Sequence, residues 1–135
     1  MTQANHQIVR DFFRNLAAGT LTEDMFTPDM TTWTVLSGES DKATFLMGVQ
    51  FLASLFAGDF KYTIDALTVE EDRAAAETRS SGTFKDGEPF SNVHAFLFRI
   101  RDGKIAYMGE FMNQDTVKAM IMPRMQAAMA QIGTA

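Results

Sequence analysis

Residues 91–113, SNVHAFLFRIRDGKIAYMGEFMN, carry the most regular pattern in this chain. Side chains in residues 91–101 divide by parity into two faces, which is the period of a β-strand. The Asp-Gly pair at 102–103 is typical of a tight hairpin turn, and residues 105–113 then resume as a second strand. The stretch therefore predicts an antiparallel hairpin.

The rest of the chain adds helices before a run of further strands. Apolar residues at helical spacing predict helices over residues 5–18, 42–57 and 115–132, with a short helix after Thr22 and an interruption at Pro123. Strands are predicted over residues 30–36, 60–69 and 73–84, with turns at 27–29, 37–40 and 85–87. Helices grouped before an antiparallel meander predict an α+β fold in one domain, residues 1–135.

Composition narrows the function classes. The chain has 135 residues, a net charge of −5, 46% hydrophobic residues and no cysteine. Without a basic patch, nucleic acid is not an expected partner. No apolar run approaches the ~20 residues of a membrane helix, so no membrane partner is expected. Two histidines and no cysteine give no metal-ligand spacing. We expect a cytoplasmic protein with no cofactor and no metal.

The hairpin strands suggest which polar groups lie inside. Asn92 and His94 share a face with Phe96, Phe98 and Ile100, and we expect the helices to cover that face. Glu110 lies between Met108 and Met112 on one face of the last strand, while Ile105, Tyr107 and Phe111 lie on the other, and the alternation alone does not settle which face is inward. Strand 73–84 has no good core face. Its odd positions include Glu77, Arg79 and Ser81, and its even positions are mostly small.

Two longer stretches resemble a known family. IVRDFFRNLAAGTLTEDMFTPDMTTW (8–33) and FKDGEPFSNVHAFLFRIRDGKIAYMGEFMNQDTV (84–117) resemble the nuclear transport factor 2-like superfamily, which includes SnoaL-like polyketide cyclases and ketosteroid isomerases. The resemblance implies a cone-shaped, strongly curved, mixed or antiparallel sheet wrapped around helices, with one pocket. Asn113 departs from the family's ending, which usually has an aspartate there.

The resemblance also implies a set of pocket residues. Its floor would contain Glu77, Arg79, Ser81, Asn92, His94, Glu110 and Met112. Its walls would contain Phe12, Leu16, Trp33, Phe51 and Leu55. The catalytic residues of the ketosteroid isomerases are not present at the matching positions. Epoxide hydrolases of this fold use an Asp-Arg-Asp triad, whereas the matching positions here are Glu77, Arg79 and Glu110, with the order of the first two charges swapped. The closest analogue of the SnoaL-like acid–base pair is Glu110 with His94.

Three functions remain open from these residues. The first is cofactor-independent isomerisation, cyclisation or hydrolysis of a small apolar or aromatic molecule, with Glu110 as base, His94 as acid and Arg79 as anion stabiliser. The second is a non-catalytic ligand-binding module, and the third is a dimerisation module. In these two, Glu77, Arg79 and Glu110 would form a structural ion-pair network. A homodimer is expected through the outer sheet face at Val93, Ala95, Leu97 and Tyr107.

Overall fold

The computed structural model describes residues 2–134, with side chains for residues 3–131, so the predicted domain ends Met1 and Ala135 lie outside it. Helix α1 is followed by a 3₁₀ turn, and α2 lies between the second and third strands. The helical elements are α1 (Thr2–Ala18), the 3₁₀ turn (Glu23–Met25), α2 (Lys42–Ala53), α3 (Gln114–Thr116), a π-helical segment (Val117–Ile121) and α4 (Met122–Thr134).

Six strands form one curved, open, mixed sheet, which confirms the α+β prediction. Their order across the sheet is β2-β1-β6-β5-β4-β3, and the β1–β6 pair is parallel while the other pairs are antiparallel. The strands are β1 (Phe26–Thr34), β2 (Gly38–Asp41), β3 (Lys61–Glu70), β4 (Arg73–Thr83), β5 (Pro89–Arg101) and β6 (Lys104–Met112).

The β5–β6 hairpin forms as the sequence predicts. Asp102 and Gly103 both have positive φ, of 54° and 74°, which is the backbone that a two-residue turn of this twist requires. The strand β3 contains a bulge, seen as a register shift between Ile64 and Ala66 against β4.

Two short segments were predicted wrongly as turns. Residues 27–29 lie inside β1, where Pro28 is tolerated because the pairing with β6 is interrupted between Phe26 and Thr31. Residues 38–41 form β2, which pairs back on β1 with Thr34 opposite Gly38. Asp41 then caps α2, accepting a hydrogen bond from the Thr44 backbone N–H at 2.8 Å.

Helix α2 ends earlier than predicted. It stops at Ala53 rather than residue 57 because the following backbone pairs with the sheet instead. The Ala57 N–H donates to the Thr83 carbonyl at 2.8 Å, and the Lys85 N–H donates to the Leu55 carbonyl at 3.0 Å. Gly58 lies in the connection to β3 with a φ of 99°.

The last helix is interrupted just before Pro123, as predicted, but by widening rather than by a break. The Met122 N–H donates to the Val117 carbonyl, five residues back, at the end of the π-helical segment. Proline lacks an N–H and its ring crowds the carbonyl four residues earlier, so a wider turn there avoids both problems.

The main core lies between α1, α2 and the inner face of the sheet. Phe12 is fully buried at its centre, with ring centroids 5.1 Å from Phe98 and 5.2 Å from Phe13. A second apolar cluster is centred on Phe56, Phe84, Phe90 and Ile121. It joins the β4–β5 turn to the C-terminal helical segment, and Arg124 holds that contact with its guanidinium 3.8 Å from the Phe84 ring centroid.

Candidate functional site

An apolar cavity of about 280 Å³ lies between the inner face of the sheet, the helices α1 and α2, and the C-terminal helical segment. Its apolar lining includes Leu16, Phe45, Val49, Leu52, Phe60, Phe90, Phe96, Met108, Met112, Val117, Ile121 and Met125. Its polar lining is Thr34, Ser37, Tyr62, Ser80, Asn92, His94 and Glu110. Apolar walls with a few convergent polar groups are typical of small-molecule sites.

Three of the polar side chains form a continuous hydrogen-bonded line. Glu110 Oε2 lies 2.9 Å from His94 Nδ1, and His94 Nε2 lies 2.7 Å from Ser80 Oγ. The side chains of His94 and Glu110 are only 6% and 17% exposed. A carboxylate only accepts hydrogen bonds, so the two distances fit the tautomer in which the Nδ1–H of His94 donates to Glu110 and Nε2 accepts from the Ser80 hydroxyl.

The strand register brings these three residues together. His94 lies opposite Thr78 on β4 and opposite Met112 on β6. Ser80 and Glu110 are each two residues along from those partners, so both are diagonal neighbours of His94 on the same face. Diagonal neighbours are within reach of long side chains, which explains a line that crosses three adjacent strands.

Two further polar residues border this line. Asn92 lies opposite Ser80 in the register and donates from Nδ2 to the Asn113 carbonyl at 3.3 Å. Tyr62 also lines the cavity, with its ring centroid 5.4 Å from that of His94. Burial, and then the charge of Glu110, raise the pKa of Tyr62 well above its usual range. Its hydroxyl therefore stays protonated and able to donate.

The predicted inward placement of Glu77 and Arg79 is wrong. Both residues are exposed on the outer face of β4, and Arg79 donates two hydrogen bonds of 2.8 Å to Asp65 on β3. The pair lowers the pKa of Asp65 and raises that of Arg79. Charges stay outside because burying them is costly. The proposed Glu77–Arg79–Glu110 network does not form, since Glu110 instead pairs with His94.

The other predicted pocket residues divide between the cavity and its surroundings. Leu16, Asn92, His94, Glu110 and Met112 all line the cavity. The predicted floor residue Ser81, on the face of β4 opposite Ser80, does not, and neither do the wall residues Phe12, Trp33, Phe51 and Leu55. Phe12 lies in the core behind the wall, Leu55 packs against the second cluster, and Trp33 lies against Phe111 with ring centroids 5.2 Å apart.

Ser80 is the functional candidate that sequence reasoning missed. The even face of β4, which carries it, is the buried face: Ala74, Ala76, Thr78 and Ser80 are each no more than 5% exposed. The signal was present in the sequence, because that face contains no charged residue while the other carries Glu77 and Arg79. The resemblance favoured the charged face as the pocket lining.

Other surface features are less suited to chemistry. A more open groove of about 810 Å³ lies on the outer face of the sheet, lined in part by Arg73, Leu97 and Tyr107. Among the described residues, no three His, Asp or Glu side chains come close enough to hold a metal ion. The helices in that part of the chain are all too short or too polar to cross a membrane.

The sequence of this chain matches the model of a known protein family. Residues 9–108 match the model of the SnoaL-like domain. The chain belongs to the SnoaL-like family. The match spans α1 through most of β6 and so includes every strand of the cavity floor, although Glu110 lies just beyond it. Among curated proteins, none matches this SnoaL-like chain.

Solved structures share the whole architecture. A nuclear transport factor 2-like protein from Anabaena variabilis ATCC 29413 is 26% identical, with a TM-score of 0.73 over 84% of this chain and 90% of that one. A candidate hydroxylase from Streptomyces galilaeus has a TM-score of 0.77 at 15% identity, covering 94% of this chain and 98% of its own. A candidate SnoaL-like polyketide cyclase from Jannaschia sp. CCS1 has a TM-score of 0.76 at 16% identity, covering 89% and 92%.

Proposed function

We propose that the cavity is an acid–base site that moves a proton on a small, largely apolar molecule without a cofactor. Glu110 acts as the base, and His94 is its partner, whose Nδ1–H donates to the carboxylate and holds it in place. The observation that carries this proposal is the 2.9 Å contact between His94 Nδ1 and Glu110 Oε2 inside an apolar cavity. General acid–base catalysis depends on a side chain held in position to transfer a proton, and this contact fixes the position of the Glu110 carboxylate.

One oxygen of the Glu110 carboxylate is available to accept a proton from a substrate. Oε2 accepts from His94, while Oε1 has no hydrogen-bond partner among the described residues. A substrate C–H placed at Oε1 loses its proton to Glu110, and the donors around the cavity stabilise the resulting enolate oxygen. Preorganised donors at the position where charge develops are a major source of rate enhancement. Asn92 and Tyr62 are the candidates for that role.

The cavity also limits the substrate. Its volume of about 280 Å³ lies just below the ~300–1,000 Å³ that is typical of ligand sites. Aromatic, leucine and methionine side chains form most of its walls, which favours a compact apolar or aromatic body with one carbonyl group. A cyclase or isomerase reaction is in keeping with the candidate polyketide cyclase from Jannaschia, whose low identity supports the fold alone.

Hydrogen exchange at carbon tests this proposal without a known substrate. A panel of small cyclic and aromatic ketones is incubated with the protein in D₂O, and deuterium incorporation next to the carbonyl is followed by mass spectrometry. We expect at least one ketone to exchange faster than in buffer. If ketones bind, as detected by shifts of the Tyr62 and His94 NMR signals, and none exchanges faster, the catalytic proposal is wrong.

A specific observation favours a second candidate, a non-catalytic ligand-binding module. Both ring nitrogens of His94 already have hydrogen-bond partners, as a structural core histidine would. In that case ketones bind without exchange, and replacing Glu110 with glutamine leaves their affinity nearly unchanged. The exchange assay and the affinity measurement together separate the two functions.

The outward position of Arg79 gives a prediction of its own. Because Arg79 pairs with Asp65 on the outer face, we expect Arg79→Met to leave the exchange rate within about twofold of wild type, as for most surface substitutions. The rate is measured on the same ketone with both proteins. A much larger loss would restore Arg79 to the role of anion stabiliser.

We also propose that the outer face of the sheet joins two copies of the chain. Val93, Leu97 and Phe111 are 56%, 45% and 45% exposed there, and contiguous exposed apolar groups mark interaction surfaces. Light scattering at micromolar concentration is expected to give about twice the 15.0 kDa chain mass. Leu97→Arg is expected to give the monomer, while Met47→Arg, on exposed α2, is expected to stay dimeric. A monomeric wild type would contradict the proposal.

A further inference from the structure

We propose that Ser80 is a nucleophile, and that the cavity therefore has a second activity, acyl transfer from small apolar esters. The hydroxyl of Ser80 lies 2.7 Å from His94 Nε2, and the opposite nitrogen of the same ring lies 2.9 Å from Glu110 Oε2. A nucleophile within hydrogen-bond reach of a base, with the base oriented by a third group, is the arrangement that activates serine in unrelated folds.

The backbone holds this line in place. Ser80, His94 and Glu110 lie on β4, β5 and β6, three adjacent strands whose registers are continuous through all three residues. Sites built on strands hold their geometry better than sites on loops. Ser80 is 2% exposed, and its hydroxyl is held by the 2.7 Å hydrogen bond to His94 Nε2.

The direction of the hydrogen bonds from Ser80 through His94 to Glu110 suits the removal of the serine proton. Glu110 accepts from Nδ1–H of His94, which leaves the lone pair of Nε2 directed at the Ser80 hydroxyl. When Nε2 takes the serine proton, the ring becomes positive beside the Glu110 carboxylate, which stabilises it. Glu110 therefore acts on Ser80 only through His94, whereas in proton abstraction it acts on the substrate directly.

Donors for an oxyanion lie beside Ser80. Asn92 is directly opposite it in the register, and only one of its two Nδ2 hydrogens is engaged, by the Asn113 carbonyl. Tyr62 lines the same cavity and is held protonated by burial. Donors of this kind at the developing oxyanion are a large term in acyl transfer.

The chemical step balances without a cofactor. Ser80 Oγ bonds to the ester carbonyl carbon while its proton passes to His94 Nε2. The carbon–oxygen bond to the alcohol then breaks, and His94 returns that proton to the departing alcohol. Water attacks the acyl-serine with His94 again as base, which releases the acid and restores Ser80. The cavity volume of about 280 Å³ restricts the acyl group to a short or single-ring one.

Covalent labelling tests this inference independently of proton transfer. The probe is diisopropyl fluorophosphate, which is compact and apolar and reacts much faster with activated serine hydroxyls than with ordinary ones. Peptide mapping by mass spectrometry is expected to find one phosphorylated site, Ser80. The label is expected to be absent in Ser80→Ala and to form about 10²–10⁴ times more slowly in His94→Gln, the range of a lost general base.

The adjacent serine provides the matched control. Ser81 lies next to Ser80 and on the opposite face of β4, so Ser81→Ala is expected to label like wild type. Absence of label on wild type, or label at another serine, would overturn the inference whether or not the variants fold. Ketone exchange without labelling overturns acyl transfer alone, and labelling without ketone exchange overturns the proposed proton-transfer function alone.

Discussion

Glu110→Gln is expected to slow ketone exchange by about 10²–10⁴, the usual contribution of a general base. Glutamine has nearly the same shape, and its amide oxygen still accepts the hydrogen bond from His94 Nδ1. The fold and the ligand affinity should therefore be retained. What is lost is the carboxylate oxygen Oε1, which has no other partner among the described residues and receives the substrate proton in our proposal.

A matched control separates this effect from a general loss of charge. Glu39 lies exposed on β2, away from the cavity lining, so Glu39→Gln makes the same chemical change without touching the site. We expect its exchange rate to equal that of wild type. Exchange by Glu110→Gln at the wild-type rate, with a circular dichroism spectrum unchanged, would show that Glu110 is not the base.

Phe12→Ala is expected to lower the free energy of unfolding by about 3–5 kcal/mol, the usual cost of removing a buried phenylalanine. Phe12 is fully buried and packs edge-on against Phe13, Phe26 and Phe98. Its removal leaves a void that the rigid sheet and α1 cannot close. Urea unfolding at a fixed protein concentration measures the change, with the slope of the transition expected to stay constant.

The control for this variant is an exposed side chain of comparable size. Met47 on α2 is 68% exposed, so Met47→Ala is expected to change the free energy of unfolding by about 0.5 kcal/mol or less. The opposite pattern, with Phe12→Ala stable but unable to bind ketones, would mean that Phe12 belongs to the pocket wall, as the family resemblance implied.

Much of the fold could be predicted from local sequence because its signals are local. The Asp-Gly turn and the parity of residues 91–101 specify the β5–β6 hairpin without reference to the rest of the chain. The end of α2 and the strand β2 could not be predicted in this way. The end of α2 depends on pairing with a distant segment, where the Ala57 N–H donates to the Thr83 carbonyl. The strand β2 pairs with the adjacent β1, but its four residues, Gly38–Asp41, lack the apolar alternation that indicates a strand.

Part of the candidate site could also be predicted from local sequence, and part could not. His94 was placed inward by the apolar residues that share its face, and Glu110 by the family resemblance; both line the cavity. On β4 the inner residues are small or hydroxylated, so parity alone gave no strong core face. Glu77 and Arg79 were predicted to line the pocket from the family resemblance, although charged side chains are mostly exposed to solvent. The pairing of Ser80 with His94 follows only from the register between β4 and β5.

A double-mutant cycle on the ketone exchange rate tests the central claim most directly, namely that Glu110 and His94 act as one pair. Glu110→Gln, His94→Gln and the double variant are compared with wild type on one ketone. Groups that work as a unit are strongly non-additive, so we predict that the double variant is about as slow as the slower single variant. Two losses that multiply in the double variant would contradict the account, because they would mean that the two residues act independently.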